Sequence, residues 1–317
     1  MGLFDSIFRP NREQQNAVRS EFFKTLTPYK PVFHSWQGSI YESELIRAAI
    51  YARARHISKL KFSATGSAKV GLVAKLNQGP NQWQTWPQFL ARTSTILDIH
   101  NTAFIVPVFD ERMVITGVYP VLPTMCNVVE YNDELWLRYQ FASGQVGAVE
   151  YRKCAILTKH QYQSDFFGSS NNPLRETMQL IHIQNQGIEE GVKNSATFRF
   201  MAQLANFSSA EDLKKERERF TESNLSTDSK SGGFLLFPNT YKNVQQLKQE
   251  SYKVDADQQA LIKSNVYDYF AVNEDVIQNK AYGDAWLAFY EGAIEPFAIQ
   301  LSDVMTRMFY TERERQF

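Results

Sequence analysis

Apolar positions recur along this chain at three- to four-residue spacing in some stretches and at two-residue spacing in others. From Tyr41 to Leu60, Leu45, Ile46, Ala49, Ile50, Ile57 and Leu60 share one helical face, with Arg47, Arg53, Arg55 and Lys59 elsewhere. The period predicts an amphipathic helix. Lys61 to Thr65 and Val70 to Leu76 read as short strands before the loop Asn77 to Asn81. A second helix opens on a start signal: Thr85 as cap, Pro87 in the first turn, and Gln88 placed for a capping box. It should run to about His100 and bury Phe89, Leu90, Ile96 and Leu97.

The period then drops to two. Ala103 to Phe109, Met113 to Tyr119, Thr124 to Glu130, Glu134 to Phe141 and Cys154 to Thr158 are β-branched or aromatic runs between turn residues. They predict an antiparallel meander, so the first half is α+β. Residues 1 to about 38 have no sustained period and suit an arm that needs a surface to lie on. Leu3, Phe4, Ile7 and Phe8 fit a small amphipathic segment that docks on a neighbour. Met1 to Ser6 matches the N-myristoylation pattern, a short motif read here as coincidence.

After a Ser, Gly and Asn stretch at 161–172, Asn172-Pro173 gives a cap and a proline for a first helical turn. Leu174, Met178, Ile181, Asn185, Ile188, Val192 and Ser195 follow at steps of four and three, a near-heptad seam on a helix of ~35 Å. Residues 198–240 form a separate small unit. It has an apolar run from Phe198 to Leu204, a charged helix from about Ser209 to Ser223, and the run Gly233 to Phe237. A long helix out, a small module and a helix back make an excursion from the main body. The returning helix, Asp255 to Phe270, carries Ile262, Val266, Tyr269 and Phe270 on one side. A last segment from Asp284 carries Trp286, Tyr290, Phe297, Leu301, Val304 and Met308, and Pro296 should kink it. Between them lies Asn273 to Gly283, too polar to pack in a core and so expected to face solvent or a partner.

With 317 residues, 43% hydrophobic and 21% charged, the chain should fold as two or more packing units. Its 34 basic residues equal its 34 acidic ones. Tight nucleic-acid binding needs a basic excess, so any DNA contact must be local or weak. Cys126 and Cys154 are too few for a disulfide framework and lack zinc spacing, which fits a reducing, intracellular environment. No segment has the length to span a bilayer.

Catalytic chemistry finds little support. The five histidines are scattered, without metal-ligand spacing, so neither a metal nor another cofactor is expected. Cys154 and His160 could be cast as nucleophile and base, but no nucleophile motif surrounds them, and a strand cysteine with a loop histidine is the simpler reading. Glu189 and Glu190 diverge on a helix. No P-loop motif is present, so any motor must be a partner. Arg47, Arg53, Arg55, Lys59 and Lys61 with Tyr51 form the strongest basic cluster; a solvated face with intersubunit salt bridges is favoured over phosphate binding. Residues 211–220 read as a charged surface helix or a docking surface, with Leu213 and Phe220 as its inward anchors. On its residues alone, 273–283 is an ordinary connector.

Several strings, in their order and spacing, resemble the portal proteins of tailed bacteriophages, of the siphovirus-type family. They are Trp83-Gln-Thr-Trp-Pro-Gln-Phe-Leu, Asn101-Thr-Ala-Phe-Ile-Val-Pro-Val, Tyr119-Pro-Val-Leu-Pro, Gly168-Ser-Ser-Asn-Asn-Pro-Leu and Phe289-Tyr-Glu-Gly-Ala-Ile-Glu-Pro-Phe. The resemblance implies a ring-forming portal fold: arm and α/β wing at 1–170, first stem helix at 171–197, small α/β clip at 198–245, second stem helix at 246–272, tunnel loop at 273–283, and C-terminal helix at 284–317. Two departures stand out. Ala271-Val-Asn-Glu lacks the proline that often leads into the loop, and the crown is expected to be short or absent.

The resemblance further implies a structural, non-enzymatic protein at one capsid vertex of the virion, assembled in the host cytoplasm as a ring, typically of twelve subunits. The large terminase and a head–tail adaptor would dock on Glu211, Lys214, Lys215, Arg217 and Arg219 of the clip. Major capsid and scaffolding proteins would be further partners, and no membrane is involved. Double-stranded DNA would pass non-specifically along Asn273, Glu274, Asp275, Gln278, Asn279 and Lys280. A near-neutral loop suits that task, since a strong grip on phosphates would stall movement. The alternatives are another virion ring or adaptor protein and, from a different class, a nucleic-acid-modifying hydrolase.

Overall fold

The structure, a computed structural model, describes residues 24–28, 40–66, 69–110, 112, 114–140, 144–195, 200–204, 210–220, 222, 241–246 and 255–316. In chain order the strands are β1 (Lys24–Pro28), β2 (Thr102–Phe109), β3 (Ile115–Val121), β4 (Cys126–Tyr131), β5 (Glu134–Gln140), β6 (Val146–Glu150), β7 (Ala155–Thr158), β8 (Phe200–Leu204) and β9 (Tyr241–Gln246). The helices are α1 (Glu44–Ile57), α2 (Val70–Gln78), α3 (Trp86–His100), α4 (Arg175–Ser195), α5 (Ala210–Phe220), α6 (Ala256–Tyr269), α7 (Glu274–Ile277), α8 (Gly283–Phe289) and α9 (Glu295–Phe309). The chain divides into two compact units, Met1–Met178 with Leu261–Phe317, and Gln179–Ala260.

In the first unit the expected meander is instead two antiparallel sheets, ordered β1-β4-β5-β6 and β3-β2-β7. β7 returns to pair with β2, Thr158 opposite Thr102, and does not extend the β4–β5 hairpin. The two sheets share one core of Phe104, Val106, Val121, Val128, Leu137, Tyr139, Val149 and Cys154. β2 is buried along nearly its whole length, because the core covers one face and α3 packs across it. β6 has no counterpart among the expected strands: its glycine reads as turn punctuation. Gly147 is there because a Cβ would sit 2.7 Å from the Tyr139 ring.

The helices α1 and α3 match their expected positions. Thr85 N–H donates to Gln88 Oε1 (2.9 Å), one half of the capping box. Phe89, Leu90, Ile96 and Leu97 are buried as expected. The strand expected at Val70–Leu76 is the helix α2. Two valines favour a strand, but Leu72 and Leu76, one turn apart, are the positions that bury. Trp86 Nε1–H donates to the Leu76 carbonyl (2.8 Å) near the end of that helix. Lys61–Thr65, also expected as a strand, forms no regular element, and no strand among the described residues pairs with it. The Asn77 side chain takes the place of a partner, accepting from Ala64 N–H (2.9 Å) and donating to Ala64 O (3.1 Å).

α4 has 21 residues, about 31 Å of helix, and a 3-10 turn at Asn172–Leu174 leads into it. Its seam buries only at the root: Leu174 and Met178 are buried, while Ile188 and Val192 are exposed. Leu180 and Ile183 are exposed as well.

The second unit, beyond its part of α4 and α6, holds β8 paired antiparallel with β9, Phe200 opposite Gln246, together with α5. Most of the N-terminal arm, the run Gly233–Phe237 and the side chains of Leu213 and Phe220 lie outside the described residues.

The kink expected at Pro296 is a π turn, Tyr290–Ile294, between α8 and α9. Proline has no amide to bond the preceding turn, and the helix widens to absorb the loss. Phe297, Leu301 and Met308 bury as expected, but Met305 takes the place assigned to Val304, and Tyr290 is exposed.

Candidate functional site

Asn273 to Gly283 is a folded turn with one packed end and one open end. Asn273 caps α7, its Oδ1 accepting from Val276 N–H at 2.8 Å. Val272 and Val276 are buried, which corrects the expectation that the whole segment is too polar to enter a core. The apolar pair, four residues apart, anchors it, while Glu274 and Asp275 project outward between them. The open end begins at Gln278. Lys280 Nζ donates to Gln278 Oε1 (2.8 Å), and Gln278 Nε2 donates to Glu274 Oε1 (2.8 Å). The Lys280 and Ala281 amides both return to the Asp275 carbonyl, at 2.7 and 3.2 Å. Asn279 at φ +60° and Gly283 at φ +55° make the reversals. Tyr282, at the tip, is 81% exposed.

The turn is held by α1. Arg55 Nη2 donates to the Val276 carbonyl (3.2 Å), on the near side of the loop. His56 meets the edges of Trp286 (4.9 Å) and Phe289 (5.5 Å) on the far side. Burial, with Lys59 and Arg55 nearby, lowers the His56 pKa to about 4, so the ring is neutral at pH 7. Arg53 lies deeper, bonding the carboxylate of Asp98 and the Ala293 carbonyl of the π turn (3.2 Å). The basic cluster expected on a solvated face is therefore divided. Arg53 is buried and Arg55 half-buried against the loop, while Arg47 and Lys59 remain at the surface.

Asp98 is fully buried and also accepts from Lys159 Nζ (2.8 Å). Burial and the Arg53 charge lower the Lys159 pKa, partly offset by Asp98. Beside it, Asn171 Nδ2 donates to the carbonyls of Asp98 (3.1 Å) and Ile99 (2.8 Å) at the end of α3. Its Oδ1 accepts from Asn101 Nδ2 (2.6 Å) and the Tyr269 hydroxyl (2.7 Å) of α6. Gly168 brings this strip close: a Cβ there would lie 2.1 Å from the Asn101 carbonyl. One polar hub thus joins the root of α4, the end of α6, α3, and, through Arg53, the π turn.

No comparable chemistry attaches to Cys154 and His160. The thiol is buried in the sheet core, bonds the Glu150 carbonyl (3.6 Å), and burial raises its pKa well above the ordinary thiol range, opposite to an activated nucleophile. Among the described residues no group of three or more His, Cys, Asp or Glu could hold a metal, and no helix is long and apolar enough to cross a membrane. On α5, Glu211, Lys214, Lys215, Arg217 and Arg219 are all exposed.

The family model for phage portal proteins matches residues 44–317. The chain belongs to the phage portal protein family. Portal function follows from that membership. No curated protein matches the chain. Among solved structures it is similar to a protein in the neck of an empty GTA particle computed with C6 symmetry, at 12% identity and TM-score 0.59, covering 84% of this chain and 77% of that one. It is also similar to one in the neck of a native GTA particle computed with C12 symmetry, at 13% identity and TM-score 0.57, covering 88% and 82%. A third, from the virion of a native gene transfer agent particle, has 11% identity and TM-score 0.58, covering 87% and 84%. At these identities the likeness is one of fold, here the portal fold of mixed helix and small antiparallel sheets.

Of the side chains assigned to DNA passage, Glu274, Asp275, Gln278, Asn279 and Lys280 are grouped on the open part of one turn, with Asn273 giving its side chain to the cap. Sequence reading gave no role to Asp98, Lys159 or Asn171 and set Arg53 in a surface cluster, although these groups join the root of α4, the end of α6 and, through Arg53, the π turn. An Asp within an otherwise apolar helical face, Asp98 between Leu97 and Ile99, is the one signal that could have exposed the hub.

Proposed function

We propose that the chain forms a closed ring at one vertex of the virion, with residues 273–283 lining the bore through which double-stranded DNA enters and leaves. The observation that carries this reading is the built turn. Five exposed polar side chains of mixed sign and an exposed tyrosine are held on a rigid base by Arg55 and His56. Such a surface can touch a phosphate backbone without gripping it, since few cations mean few displaced counterions. The ring symmetry of the neck particles that share the fold supports ring closure, and so do the exposed Leu180, Ile183, Ile188 and Val192 along α4.

The ring closes head to tail, so each subunit offers two different faces to its neighbours. Residues 171–197 and 246–272 serve as stem helices and 198–245 as the clip. There Glu211, Lys214, Lys215, Arg217 and Arg219 present a docking surface, first for the large terminase and later for a head–tail adaptor. Major capsid and scaffolding proteins meet the ring's outer parts during assembly in the host cytoplasm. The role is structural and non-enzymatic, with DNA movement driven by the partner motor.

Charge reversal of Lys214, Lys215, Arg217 and Arg219 tests the docking assignment. Terminase binding should fall at least tenfold while rings still form; unchanged binding contradicts it.

A further inference from the structure

A cavity of about 390 Å³ opens between residues 60–66, α2 and α9. Its walls include Phe62, Leu76, Leu301, Met305 and Phe309, and Lys61, Glu314 and Arg315 stand among its lining. The volume lies in the range of built binding sites, and the apolar walls stand beside polar groups such as Ser302 and Thr306, a lining that suits an amphipathic occupant. Residues 61–65 add a second feature. Their burial alternates, Phe62 and Ala64 turned in and Lys61, Ser63 and Thr65 out, as in a strand, but no described strand covers them.

We propose that this groove is the docking site of the chain's own N-terminal segment, Met1 to Arg9. That segment carries Leu3, Phe4, Ile7 and Phe8 at helical spacing, with Asp5 between the two apolar pairs. The apolar pairs match the walls, and Asp5 complements Lys61 and Arg315. Tethering favours the chain's own copy. From Arg9 to the start of β1 at Lys24 runs about 15 residues of chain, able to reach about 50 Å. A segment so linked meets the groove at an effective concentration no free partner attains. The groove and β1 belong to the same compact unit.

The test uses the full chain with Phe8→Cys and Ser302→Cys introduced together; Ser302 is exposed and lines the groove. Mild oxidation should give an intrachain disulfide, seen by mass spectrometry as a linked peptide pair at the mass of one chain. Chains linked to one another, or no link between the two introduced thiols, would overturn the proposal. A second measurement needs no new cysteine. Removing residues 2–9 should speed hydrogen exchange at least tenfold in 60–66 and 305–310. No change there, or the same change only when Phe317 is removed, would also overturn it, the latter assigning the groove to the chain's other end.

Discussion

Residues 168–172 and 273–283 look alike in sequence and differ in fate. Both are mainly polar, both contain Gly and two Asn, and both adjoin helices. In the first, Asn171 is 2% exposed and its side chain is spent on two carbonyls of α3, on Asn101 and on Tyr269. In the second, the polar side chains beyond the cap bond one another or face solvent. The difference lies in what surrounds them. The end of α3 leaves carbonyls that need donors inside the core, and Asn171 supplies them. At the end of α7 the backbone amides of Gln278, Lys280 and Ala281 meet the free carbonyls, which leaves the Gln278 and Lys280 side chains outside. Polarity in a segment therefore marks exposure only where no buried backbone group calls for it.

Breaking the buried member should cost the most. Asp98→Ala leaves Arg53 and Lys159 facing each other without their shared carboxylate and should destabilise the chain by about 3–5 kcal/mol, measured by denaturant unfolding. Asn171→Ala should cost about 1–3 kcal/mol, because the α3 carbonyls and the Tyr269 hydroxyl lose a buried partner. Gly168→Ala, forced against backbone at 2.1 Å, should cost about 1–3 kcal/mol.

Acid should reveal the anchor of the exposed turn. Burial holds the pKa values of His56 and His100 at about 4, below their ordinary 6.5. Between those values the unfolded chain binds protons that the folded chain does not, so stability should fall as pH drops from about 6.5 toward 4. His56→Asn should make that decline shallower. The smallest structural effect belongs to the tip. Lys280→Ala and Tyr282→Ala should change stability by no more than about 0.5 kcal/mol, while reducing the DNA packaged per particle in a phage assembly assay. Equal stability losses from tip and hub variants would erase the distinction between the two segments.

Much of this contrast was legible in residue order. The Thr85 capping signal, the apolar faces of α1, α3 and α6, and the kink at Pro296 are local properties, written in a few adjacent residues. The strand expected at 70–76 failed because two valines outweighed the one-turn spacing of Leu72 and Leu76. The pairing of β7 with β2 and the burial of Arg53 depend on residues 45 or more positions apart, such as Asp98. Single-sequence periodicity carries no record of such partners. The open side chains of the turn were placed correctly from composition, but its packed end at Val272 and Val276 was not, because two valines among polar neighbours make no periodic signal.

Whether the tip of this turn faces the bore of a ring can be seen by electron microscopy of the purified, assembled chain. The expected image is a closed ring with residues 278–282 at the narrowest part of a central channel. A stable monomer under assembly conditions, or a ring with those residues on its outer surface, would overturn the assignment.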